Sequence, residues 1–104
     1  MRYLVTGEYI ESGFSASTER QSDLLQKVIL PSWDILMRWE AEGKATGGVS
    51  AGERSLVFFL EAASNEEVGE VLAGLPFWTL LRWTVRPIQT IRSAAEGERK
   101  ALGH

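Results

Sequence analysis

The sequence predicts a single α+β domain, with an antiparallel sheet of four strands and two helices on one of its faces. Apolar residues alternate with a period of two near the start of the chain and again after residue 53, as they do in strands. Apolar residues recur at helical spacing in two other segments, and a glycine, Gly43 or Gly74, follows each of these. The order is strand, helix, strand, strand, helix, strand. With right-handed crossovers, it gives a ferredoxin-like βαββαβ sandwich.

The N-terminal half contains the first strand and a long helix. Residues 2–10 place alternate side chains on opposite faces and predict a strand. A helix is predicted from about residue 18 to residue 42, opened by a capping box of Thr18 and Gln21. Pro31 lies inside this segment and costs about 3 kcal/mol in a regular helix interior, because it lacks a backbone donor. We therefore expect a kink or a break near Pro31.

The next segments repeat the pattern at shorter length. Residues 44–52 are rich in glycine and predict a short strand or a bulged connection. Residues 53–62 predict a central strand, because the SLVFFL within them is apolar on both faces. Ser64 and Glu67 form a second capping box, which opens a helix that continues to about Ala73.

The C-terminal part contains the last strand and a charged tail. β-Branched and aromatic residues predict a strand from Thr79 to about Ile91. Pro87 lacks a donor for the ladder, so this strand belongs at a sheet edge or carries a bulge. Residues 93–104 are charged and poorly apolar, which indicates a flexible tail or a frayed helix. The domain itself is therefore expected to cover residues 1–92.

Composition favours a cytoplasmic protein and excludes several kinds of site. The chain has no cysteine, and its one histidine is His104, where a terminal side chain is rarely held in place. Metal sites and catalysis built on these residues are not expected, and no signal peptide or membrane span is apparent. Residues 82–104 hold five of the 11 basic residues but two of the 14 acidic ones. This surplus suits a small organic anion but is too slight for nucleic acid.

The predicted arrangement leaves one face of the sheet uncovered. Both helices pack on the same face, whereas the strand at residues 53–62 is apolar on both. No further segment remains to cover the second face, and a large exposed apolar surface usually marks an interface. A second copy of the same sheet is the simplest cover. We therefore expect a homodimer or a higher homo-oligomer.

From Trp39 onward, the sequence resembles the muconolactone isomerase family. The resemblance rests on Glu-Gly at 42–43 after the first helix, Ala-Gly at 51–52 before an aromatic strand, and Leu-Pro-Phe-Trp at 75–78 after the second helix. In the family, the last cluster reads roughly Leu-Pro-x-Phe-Pro-Tyr, whereas Thr and Leu at 79–80 replace the Pro and Tyr here. The resemblance covers about half to two thirds of the chain.

The resemblance implies a dimeric α/β barrel and a cofactor-free isomerase that moves a proton within an unsaturated lactone bearing a carboxylate. It also implies assembly beyond a dimer and no metal. Because the family's Pro-Tyr pair is missing, the alternative is a non-catalytic barrel that binds a small ligand or regulates another process. A third possibility is a cofactor-free oxygenase of the wider dimeric-barrel superfamily. No feature of the sequence specifically supports it.

Glu8 is the first candidate for a catalytic base. Proton transfer next to a carbonyl group needs a positioned base, and without internal His or Cys a carboxylate is the natural choice. Glu8 is predicted on the first strand, and burial near a sheet centre raises the pKa of a carboxyl group into a useful range. The alternative is a glutamate at a strand end that points into water or pairs with an arginine. Glu61, near the end of the third strand, is a second candidate.

Arg82 and Arg86 are the candidate groups for binding a substrate carboxylate. They project from the same face of the last strand, and two guanidinium groups suit a carboxylate ligand. The alternative is that they protect an edge strand from aggregation. Tyr9 and Trp78 are the candidate aromatic contacts to a substrate, although such residues more often belong to the core.

Overall fold

A computed structural model describes residues 1–10, 18–50, 52 and 55–103, apart from the side chains of residues 18–20. The elements in chain order are β1 (Arg2–Tyr9), α1 (Thr18–Leu24), a π-helical turn (Leu25–Ile29), α2 (Leu30–Ala41), β2 (Ala45–Ser50), β3 (Ser55–Glu61), α3 (Asn65–Ala73), a 3₁₀ turn (Trp78–Leu80), β4 (Leu81–Ile88) and α4 (Ile91–Gly103).

The four strands form one sheet in the order β2-β3-β1-β4, and every neighbouring pair is antiparallel. The protein is therefore an α+β protein whose strand order and directions are compatible with the predicted ferredoxin-like arrangement. β3 lies between β2 and β1, as its apolar sequence predicts. β4 lies at the sheet edge, as Pro87 predicts. An edge strand tolerates a proline, because one side of the strand has no neighbouring strand to accept a backbone hydrogen bond.

The core lies on one face of the sheet. Tyr3, Val5 and Gly7 of β1 are buried on that face, and Glu8 on the other face is exposed, so the predicted alternation of β1 is confirmed. The buried side chains from the other elements, which pack with these, are Trp39, Ala45, Leu56, Phe58, Leu60, Ala62, Val68, Leu72, Leu75, Phe77 and Leu81.

The long helical segment passes Pro31 without a break. A π-helical turn precedes α2, and the amide of Leu30 donates to the carbonyl of Leu25, five residues earlier. Pro31 consequently lies in the first turn of α2. A proline is tolerated there because the first-turn amides have no partner within a helix. The expected break is thus replaced by a wider turn that re-registers the helix just before the proline.

Gly43 ends α2 as the sequence predicts. Its φ of 74° lies in the left-handed region, which favours glycine. The amide of Lys44 donates to the carbonyl of Trp39 at 2.8 Å, and the amide of Gly43 donates to that of Glu40 at 3.1 Å. These two bonds form a Schellman motif, which satisfies carbonyl groups at the end of the helix.

The predicted cap of α3 is confirmed. The hydroxyl of Ser64 accepts a hydrogen bond from the amide of Glu67 at 3.2 Å, and the carboxylate of Glu67 accepts one from the amide of Ala63 at 2.8 Å. The glutamate therefore reaches one residue further back than in a standard capping box. For the capping box predicted at Thr18, the threonine side chain lies outside the described residues.

The last predicted strand is shorter than expected at both ends. Residues 78–80 form a 3₁₀ turn, in which the amide of Leu80 donates to the carbonyl of Phe77 at 2.9 Å. This local bond replaces a ladder bond, so β4 begins at Leu81. At the other end, residues from Ile91 onward form α4, and all of its residues are exposed. No helix in the described ranges has both the length and the apolar character needed to cross a membrane.

One buried hydroxyl joins α2 to the turn after α3. Ser32 is fully buried, and its hydroxyl donates to the carbonyl of Val28 at 2.8 Å and accepts from the amide of Phe77 at 2.9 Å. Phe77 is also fully buried, and its ring meets those of Tyr9, Trp33 and Trp83 at centroid distances of 6.0–6.2 Å. Residues 45 positions apart in the chain are therefore fixed together inside the core.

Replacing Ser32 with alanine should destabilise the protein. The amide of Phe77 would remain buried without an acceptor, which costs about 1–3 kcal/mol. Urea unfolding followed by circular dichroism should show this loss in the free energy of unfolding. Ser22→Ala, on the exposed surface of α1, is the matched control and should change stability by less than about 0.5 kcal/mol. Equal stability of the two variants would contradict the assigned role of the Ser32 hydroxyl.

Candidate functional site

The sheet face opposite the helices has an apolar centre and a charged margin. We call it the open sheet face; its members are Arg2, Leu4, Thr6, Glu8, Thr46, Gly48, Ser50, Ser55, Val57, Phe59, Glu61, Arg82, Thr84, Arg86 and Ile88. Val57 and Phe59 belong to the central strand β3, yet they are 41% and 39% exposed. The guanidinium carbon of Arg2 lies 5.6 Å from the centroid of the Phe59 ring.

Glu8 and Arg82 lie opposite each other at one end of the open sheet face. They are paired across β1 and β4, and both are exposed. Together with Tyr9 and Ile10, they line a concavity of about 310 Å³. Within the described part of the chain, the side-chain ion pairs join Arg2 to Glu61 and Lys27 to Asp23, and neither Glu8 nor Arg82 takes part in one. Both charges therefore lack an ion-pair partner among the described residues.

Of the two interpretations of Glu8, the exposed glutamate near a strand end is the one seen in the single chain. Glu8 is the last but one residue of β1 and belongs to the face that no helix covers, so its carboxylate is exposed. Glu61 is less available, because its carboxylate accepts a hydrogen bond from the guanidinium of Arg2 at 2.8 Å. Of the two carboxylates, Glu8 is the one without such a partner among the described residues.

Arg86 shares a face with Arg82, as the strand pattern predicts. It is paired with Leu4 on β1 and lies four residues along β4 from Arg82. Four strand residues span about 13 Å, so the two guanidinium groups converge on one small ligand only if their long side chains lean towards each other. Arg86 is exposed and therefore has the freedom to do so.

The two candidate aromatic residues are not both at this site. Tyr9 lines the concavity with Glu8, although its ring also makes an edge contact with Phe77 in the core. Trp78 stacks on Trp83 at 5.4 Å, and its carbonyl accepts a hydrogen bond from the indole of Trp83 at 2.9 Å. Trp83 alternates with Arg82 and so lies on the helix side of β4. Trp78 therefore belongs to the aromatic cluster around Phe77 rather than to the open sheet face.

A second concavity was not predicted from the sequence. It lies between α2 and β2, has a volume of about 90 Å³, and is called here the α2–β2 groove. Its lining is mainly apolar and consists of Trp33, Leu36, Met37, Glu40, Ala45, Thr46, Gly47, Gly48, Leu56 and Phe58. The sequence signal for it is Gly47 in an edge strand, because this helix-side position of β2 carries no side chain.

No group of three or more His, Cys, Asp or Glu side chains in the described ranges could hold a metal ion. The chain matches no model of a known protein family and has no significant match among curated proteins. The geometry of the open sheet face and of the α2–β2 groove is therefore the basis for a functional proposal.

Replacing Gly47 with alanine should disrupt the α2–β2 groove. A Cβ atom at this position would lie 2.5 Å from the Cα of Phe58 and against the carbonyl oxygen of Val57, so β2 would have to shift away from β3. Overpacking of this kind typically costs about 1–3 kcal/mol. Gly48→Ala is the matched control, because a Cβ there meets no atom within 4 Å.

Chemical denaturation of the two variants measures this difference. The free energy of unfolding should fall for Gly47→Ala and stay within about 1 kcal/mol of the parent for Gly48→Ala. If both substitutions were equally harmless, the close approach of β2 to β3 at Gly47 would be incorrect.

Proposed function

We propose that this protein is a homodimeric α/β barrel that binds a small organic anion and resembles muconolactone isomerase in its chemistry. Support for the dimer comes from the open sheet face, where apolar side chains of a central strand are exposed in the single chain. Two such faces packed about 10 Å apart would bury Val57 and Phe59 of both copies. Support for anion binding comes from Arg82 and Arg86 on that same face.

The observation that carries the proposed chemistry is the pairing of Glu8 with Arg82 in one concavity. In this proposal, the guanidinium of Arg82, with Arg86 beyond it, binds the substrate carboxylate. The Glu8 carboxylate removes the proton from the γ-carbon, which bears the ring oxygen and adjoins the C=C bond conjugated with the lactone carbonyl. It returns the proton at the carbon next to that carbonyl, so the double bond moves by one position. Substrate and product are isomers, so the reaction needs no oxidant, reductant or cofactor. Packing of a second sheet would exclude water from the carboxylate and strengthen its interactions.

The isomerase proposal predicts that the purified protein converts (+)-muconolactone to its enol-lactone isomer. Glu8→Gln should lower kcat by about 10²–10⁴, the usual contribution of a general base. Ultraviolet absorbance of the product measures the rate, and nuclear magnetic resonance in deuterated water detects proton exchange at the reacting carbon. Glu70→Gln, on the exposed surface of α3, is the control and should leave the rate unchanged. Absence of turnover with muconolactone and with a panel of unsaturated lactones would exclude this activity.

A second candidate is a barrel that binds a small ligand without catalysis. The observation in its favour is the exposed position of Glu8, which has no described hydrogen bond to orient its carboxylate. Titration calorimetry with small carboxylates separates the two candidates. The protein is a binding module rather than an isomerase if three results hold together. Glu8→Gln leaves ligand binding intact, Arg82→Gln abolishes it, and the unmodified protein converts none of the unsaturated lactones in the panel.

The proposed dimer predicts that light scattering at micromolar concentration gives twice the mass of one 11.6 kDa chain. A higher assembly of such dimers would give a multiple of the dimer mass. Phe59→Glu should weaken association strongly, because it would place a carboxylate in the apolar centre between the two sheets. Glu70→Lys, away from the open sheet face, should leave the mass unchanged. A monomer at micromolar concentration in the unmodified protein would rule out the barrel.

A further inference from the structure

Helix α4 has apolar residues along one side, as a helix that packs against another surface does, yet all of its residues are exposed. It spans 13 residues, and Ile91 and Leu102 are 90% and 80% exposed. The described molecule is elongated, with extents of 64 × 25 × 24 Å, as expected if α4 projects from the sheet and its helices. Isolated helices of this length are marginal in water, and Gly97 lowers the stability of this one further. The helix therefore needs a partner surface to be well populated.

The apolar side of α4 has a defined end. Ile91, Ala94, Ala95 and Leu102 share one face at helical spacing, and Glu98 interrupts them before Leu102. Leu102 is thus the one large apolar side chain at the distal end of the helix. Arg99 precedes it by three residues, so its guanidinium lies on the same side of the helix, next to the leucine.

The α2–β2 groove matches this end of α4 in size and charge. Its volume of about 90 Å³ is smaller than the ~150 Å³ cavity that accepts a benzene ring, so it suits one aliphatic side chain better than a ring-shaped ligand. Its lining is apolar except at Thr46 and at Glu40, which supplies a carboxylate. A leucine side chain would fill the apolar part of the groove, and an arginine beside it would pair with the carboxylate of Glu40.

The α4 helix of the same chain is badly placed to fill this groove. The groove adjoins β2 at one edge of the sheet, whereas α4 follows β4 at the other edge. α4 begins only two residues after β4, so a path to the groove would cross about 14 Å, or three strand spacings, along the core-side face. Helices α2 and α3 already occupy the core-side face between the two edges. A second copy of the chain is free of this constraint.

We propose that α4 of one copy docks on a second copy, with Leu102 in the α2–β2 groove and Arg99 beside Glu40. This contact uses the helix side of the sheet and shares with the open sheet face only Thr46 and Gly48 of the edge strand β2. Each copy carries both the helix and the groove, so the exchange can be reciprocal about a two-fold axis.

Disulfide trapping tests the contact without background, because the chain contains no cysteine. Met37→Cys, at the exposed rim of the groove, is mixed with Leu102→Cys from a separate preparation, and mild oxidation follows. The mixed disulfide should form in about tenfold higher yield than in the control pair of Met37→Cys with Lys100→Cys, because docking raises the effective concentration of the thiols. Lys100 lies near the same end of α4 but on its polar side, so the control samples the same helix.

A charge exchange tests the second half of the contact. Glu40→Arg and Arg99→Glu should each lower the trapping yield severalfold, and the two together should restore it. Phe59→Glu should leave the yield unchanged, which separates this contact from the proposed barrel dimer. Any of three results would overturn the proposal. The first is a trapping yield no higher than that of the control pair, and the second is that Leu102→Cys forms a disulfide with another Leu102→Cys in preference to Met37→Cys. The third is that the charge exchange does not restore the yield. A membrane partner for α4 would also overturn the proposal. The result that would show it is binding of the protein to anionic phosphatidylserine vesicles that Leu102→Glu abolishes, together with no disulfide trapping above the control pair.

Discussion

The hydrogen bond from the amide of Phe77 to the hydroxyl of Ser32 holds together the parts of the chain on which the architecture depends. Ser32 belongs to the first turns of α2, and the π-helical turn before it brings Pro31 past without a break. Phe77 belongs to the turn between α3 and β4, and its ring is central to the aromatic cluster. This one buried contact therefore fixes α2, the turn and the edge strand relative to one another.

Packing around Phe77 uses the large aromatic side chains on one side of the sheet and leaves the other side without cover. Trp33, Trp78 and Trp83 all contribute to the helix side, which is why Trp78 is not available to a ligand on the open sheet face. The open sheet face keeps Leu4, Val57, Phe59 and Ile88 together with the charged residues of the four strands, which are Arg2, Glu8, Glu61, Arg82 and Arg86. An interface and an anion site on the same surface are compatible, because the apolar residues lie at the centre and the charges at the margin.

The two concavities differ in what they can hold. The one at Glu8 and Arg82 is wider and charged, and so fits a small anion in water or between two sheets. The α2–β2 groove is smaller and apolar, and so fits a side chain. An edge strand contributes to each site: β4 presents Arg82 opposite Glu8 of β1, whereas β2 presents Gly47, which carries no side chain on the side of α2. In this protein the sheet edges and the uncovered face, rather than the core, provide the surfaces for binding.

The sequence alone determined the α+β class, the order of the elements, the glycine end of α2, the serine cap of α3 and the shared strand face of Arg82 and Arg86. These follow from local bonds and from the period-two geometry of strands, which depend on residues close together in the chain. The tertiary structure alone decided the π-helical turn at Pro31, the start of β4 after the 3₁₀ turn, the exposure of Glu8, the position of Trp78 and the α2–β2 groove. Each of these depends on which distant segments meet, as Ser32 meets Phe77, and residue spacing along the chain carries no information about that.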